Sequence, residues 1–523
     1  MPGCCEGSAV ESARMIRHSG LLLALLLVLV LLWAPLPFGG VLPWAAALLA
    51  ALAFGALALA AVAVEPLQTL RPAALPAAAL AGMALLGLLQ AAPLPAGLVA
   101  ALSPQHAALE RQAATLSGST APAVSAPARL TLAASSTRRA ALGWAAAAAA
   151  FLAGAAAGRR RALRRCLAGA VLAGALFQVL FGARDWFARA RTLWGVDLPS
   201  AVRLRGTFVN PNHLALYLEM ALPAAFAWIW WAARHARDEP RVERRVALAV
   251  PPAMLWLTLF AGLSFTGSRA GLLAAAFAVS VQGVLVAGER RRWWLAPLGA
   301  AVALAGIATV TAIGWREGLG RLLATSAADV SWGARLREYG EALALWRRFP
   351  VTGTGLGTFR DAFPLVQTAD LQGTWWHPHS DPLEVLVTAG LVGAALLAAG
   401  LWGLVARLAV VLRDGGRSED RATGLAALGI LVSLGVHEGL DFGLSMPGNA
   451  ITLAVLLGAA GAARVRERSA ELGRARQDLA AVEALDLEHV EPAPERRRHP
   501  QRRRRGARKR PDGELPHGRP VEP

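Results

Sequence analysis

Apolar runs longer than about 18 residues recur along the chain from Gly20 to Ala463. A segment of that kind crosses a bilayer as a helix, because no water is present there to satisfy an open backbone. The 523 residues are 55% hydrophobic and 17% charged, whereas a soluble domain carries about 25% charge. A soluble enzyme, a coiled coil and a disordered chain are excluded. Twelve helices are predicted, at about 20–37, 41–64, 73–90, 140–157, 167–182, 212–233, 246–265, 269–287, 294–314, 382–406, 422–440 and 447–463. The expected fold class is an all-α integral membrane protein, with residues 20–463 as one polytopic domain behind a cytoplasmic segment 1–19. A second apolar run follows the first at once, with no convincing small-residue cleavage site, so the first is read as a retained helix. Cys4, Cys5 and Cys166 cannot build a disulfide framework. Lysine occurs once, at Lys509, which removes Walker-type and Schiff-base chemistry from the membrane part.

Arginine asymmetry sets the direction of the bundle. Arg159, Arg160, Arg161, Arg164 and Arg165 follow the fourth helix, Arg234, Arg237, Arg241, Arg244 and Arg245 the sixth, and Arg290, Arg291 and Arg292 the eighth. With twelve spans these loops share the cytoplasmic side, and so do both termini. The long outer loops are then about 91–138, 183–211 and 315–381. The 183–211 loop keeps several arginines against the rule, and anion binding is a reason for them. Residues 464–523 form a polar, strongly basic tail, read as a disordered cytoplasmic segment beside anionic headgroups of the membrane lipids. No aromatic residue interleaves with its arginines, so nucleic acid is not an expected partner.

Polar residues at span ends are the candidates for chemistry. In Arg203-Leu-Arg205-Gly-Thr-Phe-Val-Asn210-Pro211-Asn212-His213, Asn210 suits a helix cap and Pro211 the first helical position. The free N–H groups of that helix favour an anion, and Arg205 offers a bidentate phosphate contact. Arg205 meeting lipid headgroups is the alternative. In Ser264-Phe-Thr-Gly-Ser268-Arg269-Ala-Gly271, Ser268 caps the next inward helix and Arg269 falls in its first turn. A cation there opposes the helix dipole unless an anion lies between.

The third cluster is Trp375-Trp376-His377-Pro-His379-Ser-Asp381-Pro382-Leu-Glu384. Here Asp381 is expected to cap the helix, with Pro382 at the first position and Glu384 completing a capping box. The positive helix end disfavours imidazolium at His379, which suits a general base. His377 is expected to sit beside Trp375 and Trp376. Metal binding by His377, His379 and Asp381 is the alternative, with no further ligand cluster to support it. These three helix starts share the outer face, and together would seek an anion there.

Upstream, Trp332, Leu336, Tyr339, Leu343 and Trp346 form one apolar stripe, with Arg335, Arg337, Glu338, Glu341, Arg347 and Arg348 elsewhere. This predicts an amphipathic helix in the outer loop, lying on the bundle or in the headgroups. Gly353-Thr-Gly355-Leu-Gly357 is a turn, without the strand and spacing of a dinucleotide fingerprint. Near the end, the acids of His437-Glu438-Gly-Leu-Asp441-Phe442 either pair with the arginines or are inert.

In this order the clusters resemble the O-antigen ligase and polymerase family of multi-span glycosyltransferases. The matching stretches are Arg205 to His213, Ser268 to Gly271, Gly353 to Gly357, and His377 to Asp381. Leu88-Leu-Gln90 with Pro93-Leu-Pro95, and the His437, Asp441 and Pro447 stretch, look like the branch found near exopolysaccharide genes.

The resemblance implies a glycosyltransferase C-type bundle in the bacterial inner membrane. It implies transfer of a glycan from undecaprenyl diphosphate to an acceptor hydroxyl at the periplasmic face, without metal, nucleotide sugar or other cofactor. Arg205 and Arg269 match the family arginines that hold the diphosphate, and His379 the histidine that activates the acceptor. Asn210, Asn212, Arg335, His377 and Asp381 are expected in support. The family more often has Asn where Ser380 stands. Polymerisation of O-antigen or exopolysaccharide repeats is the favoured reaction. Ligation to lipid A core or protein is the alternative within the family, and a multi-span transporter the alternative outside it. Transporters show paired broken helices and polar residues near the midplane.

Overall fold

The computed structural model describes residues 19–63, 71–116, 128–198, 203–288 and 330–465. They form helices α1 (Ser19–Trp33), α2 (Pro43–Ala63), α3 (Ala74–Ala91), α4 (Ala96–Leu102), α5 (Pro104–Leu116), α6 (Ala134–Gly158) and α7 (Arg161–Phe187). After a short hairpin of β1 (Thr192–Leu193) and β2 (Val196–Asp197) come α8 (Pro211–Asp238), α9 (Val242–Phe265) and α10 (Arg269–Gly288). The described chain resumes with α11 (Val330–Arg348), α12 (Phe359–Ala362), α13 (Asp381–Asp414), α14 (Ser418–His437) and α15 (Pro447–Gly461). Eight of these, α2, α3, α6, α7, α8, α9, α10 and α13, are long and apolar enough to cross a membrane. The chain is a multi-pass membrane protein. Helices α1 and α15 are apolar but shorter, and α14 opens on Glu419, Asp420 and Arg421.

The expected span 294–314 lies outside the described residues, as do most of the 1–19 segment, residues 315–329 of the third outer loop and nearly all of the basic tail. The expected loop 91–138 is not open chain: it holds α4 and α5, and α6 starts at Ala134. Helix α7 likewise starts at Arg161, inside the expected arginine loop. The reason is pairing. Arg161 meets Asp420 at 2.6 Å and Arg165 meets Glu419 at 2.7 Å, while Arg164 bonds Asp420 as well.

The alanine-rich helix α6 is central and packs against α2, α3 and α15. A Cβ at Gly458 of α15 would collide with the backbone of Phe151 and Ala155, so these helices touch backbone to backbone, as small residues allow in a membrane.

Helix α13 is broken at Gly390, whose φ of 63° is open to glycine at little cost. The Gly353–Gly357 turn fills the break. Leu391 N donates to Pro350 O at 2.9 Å, and Gly355 N to Thr388 O at 3.0 Å. Gln90, at the end of α3, closes the gap: its Nε2 donates to Thr352 O at 2.6 Å and its Oε1 accepts from Leu356 N at 2.9 Å. Freed backbone groups at a helix break thus find internal partners.

An outer layer packs over the start of α13. Ala342, Leu345, Phe349, Phe359, Phe363 and Val387 form its core, with Leu109 of α5 and Trp375 against it. In this layer the buried His106 bonds Ser103 Oγ through Nδ1 at 2.7 Å and meets the Phe349 ring edge-on. Burial pushes the His106 imidazole down from 6.5 to about 4. The unfolded chain therefore binds a proton between those values that the fold refuses. Stability is lost as pH falls from about 6.5 to about 4, approaching about 3 kcal/mol for this group. In His106→Asn the acid-dependent fall should be shallower by this group's share, measured as the unfolding midpoint of detergent-solubilised protein against pH. An unchanged slope would contradict the assignment.

Candidate active site

The 203–213 segment is built as its sequence suggests. Asn210 Oδ1 accepts from Asn212 N at 2.9 Å and Pro211 opens α8. Gly206 turns the chain at φ 56°, against Gln178 of α7. Buried Gln178 holds the turn, its Oε1 accepting from Thr207 N at 2.8 Å. Arg205 beside it is only 5% exposed, and its Nη2 donates to Ala190 O at 3.4 Å. Burial pushes the Arg205 guanidinium down and the Asp185 charge pushes it back up. A buried cation of this kind is stabilised by any further negative charge.

This segment lies along the start of α10. Leu204 N donates to Phe265 O at 3.0 Å, and Arg203 Nε to Thr266 O at 2.6 Å. Ser268 caps α10, its Oγ accepting from Gly271 N at 3.2 Å, which leaves Arg269 half-buried in the first turn. The two arginine clusters are therefore neighbours.

The 375–384 segment differs from expectation at its cap. Helix α13 begins at Asp381, and no capping box forms. The Glu384 carboxylate instead takes His377 Nδ1 at 2.8 Å, and Asp381 Oδ2 accepts from Leu444 N at 2.9 Å. Burial opposes a proton on His377, but the charge and hydrogen bond of Glu384, together with the Asp381 and Glu338 charges, hold the imidazole above its usual value. His377 stacks on Phe442, with ring centroids 4.8 Å apart, whereas Trp375 faces His379.

His379 has a left-handed backbone with φ 44°, uncommon outside glycine. Helix α11 reaches this residue twice. Tyr339 Oη donates to His379 O at 2.8 Å, and His379 Nδ1 lies 3.0 Å from Glu338 Oε2. Glu338 is fully buried. Burial pushes its carboxyl up, and the His379 hydrogen bond pulls it back. The α11 helix is present as expected, but the expected stripe is not its inner face. Leu336 is 51% exposed, while Glu338, Ala342 and Leu345 are buried.

The loop after α14 ties these pieces together. Asp441 Oδ2 accepts from Asn212 Nδ2 at 2.6 Å and lies 3.9 Å from Arg335 Nη2. Asn212 in turn accepts from Arg203 at 2.7 Å, and Arg335 Nη1 donates to Leu440 O at 3.0 Å. Asp381 N donates to Glu438 O at 3.1 Å. The Phe442 ring is met by His213 at 5.0 Å, His377 at 4.8 Å and His379 at 5.1 Å. Asn210, Asn212, Arg335, His377, His379 and Asp381 are thus brought to one end of the bundle, with the Arg205 and Arg269 segments bonded to the same framework.

The motif reading does not single out Glu338, whereas Asp441, expected either to pair with the arginines or to be inert, lies against Arg335. A second histidine–carboxylate pair lies deeper. His437 Nδ1 meets Glu219 Oε1 at 2.7 Å, both fully buried. The two residues are 218 apart in the chain, and no motif or periodicity links them. His377, His379 and Asp381 do not converge as ligands. Among the described residues no group of three or more His, Cys, Asp or Glu could hold a metal ion.

The O-antigen ligase family model matches residues 253–398. Those residues, under a third of the chain, are similar to the O-antigen ligase family. The matched stretch contains Arg269, Arg335, His377, His379 and Asp381, and also Glu338. Arg205, Asn210, Asn212 and the Asp441 loop lie outside it; Arg203 and Leu204 bond Thr266 and Phe265 within it, and Asp441 meets Arg335. That similarity supports a ligase- or polymerase-type activity, with lipid-linked glycan and acceptor as substrates in general. No curated protein matches the chain.

Proposed function

We propose that this protein transfers a glycan from undecaprenyl diphosphate to an acceptor hydroxyl at the outer face of the bacterial inner membrane, polymerising O-antigen or exopolysaccharide repeats. The observation that carries this is the joining of the two arginine helix starts to the His379 loop through Asn212, Asp441 and Arg335. Arg205 and Arg269 hold the donor diphosphate and offset the charge that develops as it leaves. His379 takes the acceptor proton as the acceptor oxygen bonds the anomeric carbon. The bond from that carbon to the phosphate oxygen breaks, and its electron pair departs with the diphosphate. Attack from the far side inverts the anomeric centre. The imidazole then gives its proton to water. The chain's own residues suffice for each step, so neither metal nor nucleotide sugar is required.

The reading places twelve spans, with the Arg159–Arg165 end in the cytoplasm. Helix α14 supports that placement. It has 20 residues, so it extends ~30 Å, about one hydrocarbon thickness. Asp420 at its start meets Arg161, and Glu438 just past its end meets the Asp381 backbone. The arginine-rich end and the His379 end therefore lie a membrane apart. Reporter fusions at Ser331 and Gln501 are expected on opposite sides, Ser331 outside. A shared side would refute the topology.

The break in α13 is a feature of transporters, but here the chain's own turn fills it, and no second broken span occurs among the described residues. The deciding experiment uses purified protein in lipid, with a lipid-linked glycan donor and chelator throughout. Chain extension without lipid A core is the expected product. Transfer only to added lipid A core would make it a ligase, and donor passage across vesicles without a new glycosidic bond would make it a transporter.

A further inference from the structure

We infer that Glu338 of helix α11 is the positioning residue for the general base, fixing His379 with its proton on Nδ1 and Nε2 as the acceptor. The inference rests on the reading of His379 as base. It starts from a misfit. A carboxyl with no exposed surface sits on the inner face of an amphipathic helix, between Arg335 and Ala342, where an apolar side chain would pack at less cost. Only one of its oxygens is engaged. Oε2 lies 3.0 Å from His379 Nδ1, and buried Oε1 has no hydrogen-bond partner among the described residues. A carboxyl kept for packing or for capping would be satisfied at both oxygens. This one is spent on a single imidazole.

The adjacent residue completes the device. Tyr339 bonds the His379 carbonyl at 2.8 Å and so holds the left-handed backbone from which the ring projects. Two consecutive residues of one helix therefore fix the backbone and the ring of the same histidine. Trp375 and Phe442 bound the ring edge-on, at 5.6 and 5.1 Å. Which nitrogen of an imidazole accepts a proton is set by the bond the other makes. With Nδ1–H given to Glu338, Nε2 carries the lone pair. When Nε2 takes the acceptor proton, the new positive charge lies against the carboxylate. When it releases that proton to water, the starting tautomer returns. Glu338 touches neither substrate and acts through His379.

The test compares Glu338→Gln, Glu338→Leu and His379→Ala in the same lipid assay, with kcat and donor KM separated and the unfolding midpoint recorded. Glu338→Leu fills the buried volume and removes the bond. Its expected kcat is down on the order of 10²-fold, with donor KM within about twofold and the midpoint equal or higher. Glu338→Gln keeps the shape but can present an amide N–H to Nδ1 and stabilise the wrong tautomer, so its kcat should fall at least about tenfold. A merely structural role predicts the reverse for Leu, with full turnover in a protein as stable as the parent. That result would overturn the inference. Should the Leu variant fail to accumulate, the near-isosteric Gln variant decides alone, an unchanged kcat overturning it. His379→Ala separates the two levels. If it is inactive while Glu338→Gln turns over normally, only the positioning role falls. If His379→Ala keeps full turnover, the base assignment falls and this inference with it.

Discussion

His379→Ala abolishes glycan transfer and leaves donor binding intact: that is the expected result, with turnover down on the order of 10²–10⁴-fold. The expectation follows from a division of labour in the site. In the proposed reaction the diphosphate is held by arginines on the α8 and α10 side, whereas His379 belongs to a loop fixed by α11, through Glu338 and Tyr339. Removing the imidazole leaves the Asn212–Asp441–Arg335 framework unchanged, because none of those bonds passes through it. His377→Ala should be milder, a loss of several-fold. Its ring is bonded to Glu384 at 2.8 Å and stacked on Phe442, and its site holds the imidazole above its usual value, so it shapes the loop and is the poorer proton acceptor. Binding of labelled donor and single-turnover transfer, both with chelator present, separate the two effects. Full turnover by His379→Ala would remove it as the base. Loss of wild-type turnover in chelator would return the His377, His379 and Asp381 cluster to consideration as a metal site.

What was legible in the sequence is local. Asn210 with Pro211, and Ser268 before Arg269, mark helix starts through short-range capping chemistry, and both starts fall where that chemistry puts them. The long apolar runs located the eight helices that are long and apolar enough to cross a membrane for the same reason: burial in lipid demands continuous apolar sequence. The tertiary pairings were not legible. Glu338 and His379 are 41 residues apart and Glu219 and His437 are 218 apart, and no periodicity links them. The bundle-facing side of α11 is not legible because its most buried polar residue, Glu338, counts against burial in any hydropathy pattern, while Leu336 of the apolar stripe is exposed. Asp381 with Glu384 has the form of a capping box, but both carboxylates have stronger claims on them, from Leu444 N and from His377. Gly390 reads as one more small residue in an apolar run. Its break becomes visible only with the 350–357 turn and Gln90 beside it.

Arg269→Lys is the second large expected effect, a fall in kcat/KM for the donor on the order of 10²-fold in a protein that inserts and accumulates normally. The reason lies in where the side chain starts. Arg269 occupies the first turn of α10, and Ser268 caps that turn rigidly at 3.2 Å from Gly271 N. A cation at this end meets the positive pole of the helix, a local cost of a few tenths to about 1 kcal/mol that a bound diphosphate reverses. Charge alone does not account for the residue. The adjoining segment runs beside this helix start, with Arg203 Nε donating to Thr266 O at 2.6 Å and Leu204 N to Phe265 O at 3.0 Å, so Arg205 lies in a segment that adjoins the Arg269 turn. A guanidinium engages two phosphate oxygens in parallel, whereas an ammonium is a strongly hydrated point charge that must be stripped of water to reach either. Lysine therefore keeps the electrostatics of insertion and loses the geometry that holds the leaving group in line. Raising donor concentration should recover part of the rate if the loss is in ground-state binding, and none of it if the fork acts only as the bond breaks. Near-wild-type polymer from the variant at low donor would reject Arg269 as a diphosphate ligand and leave Arg205 to carry that role.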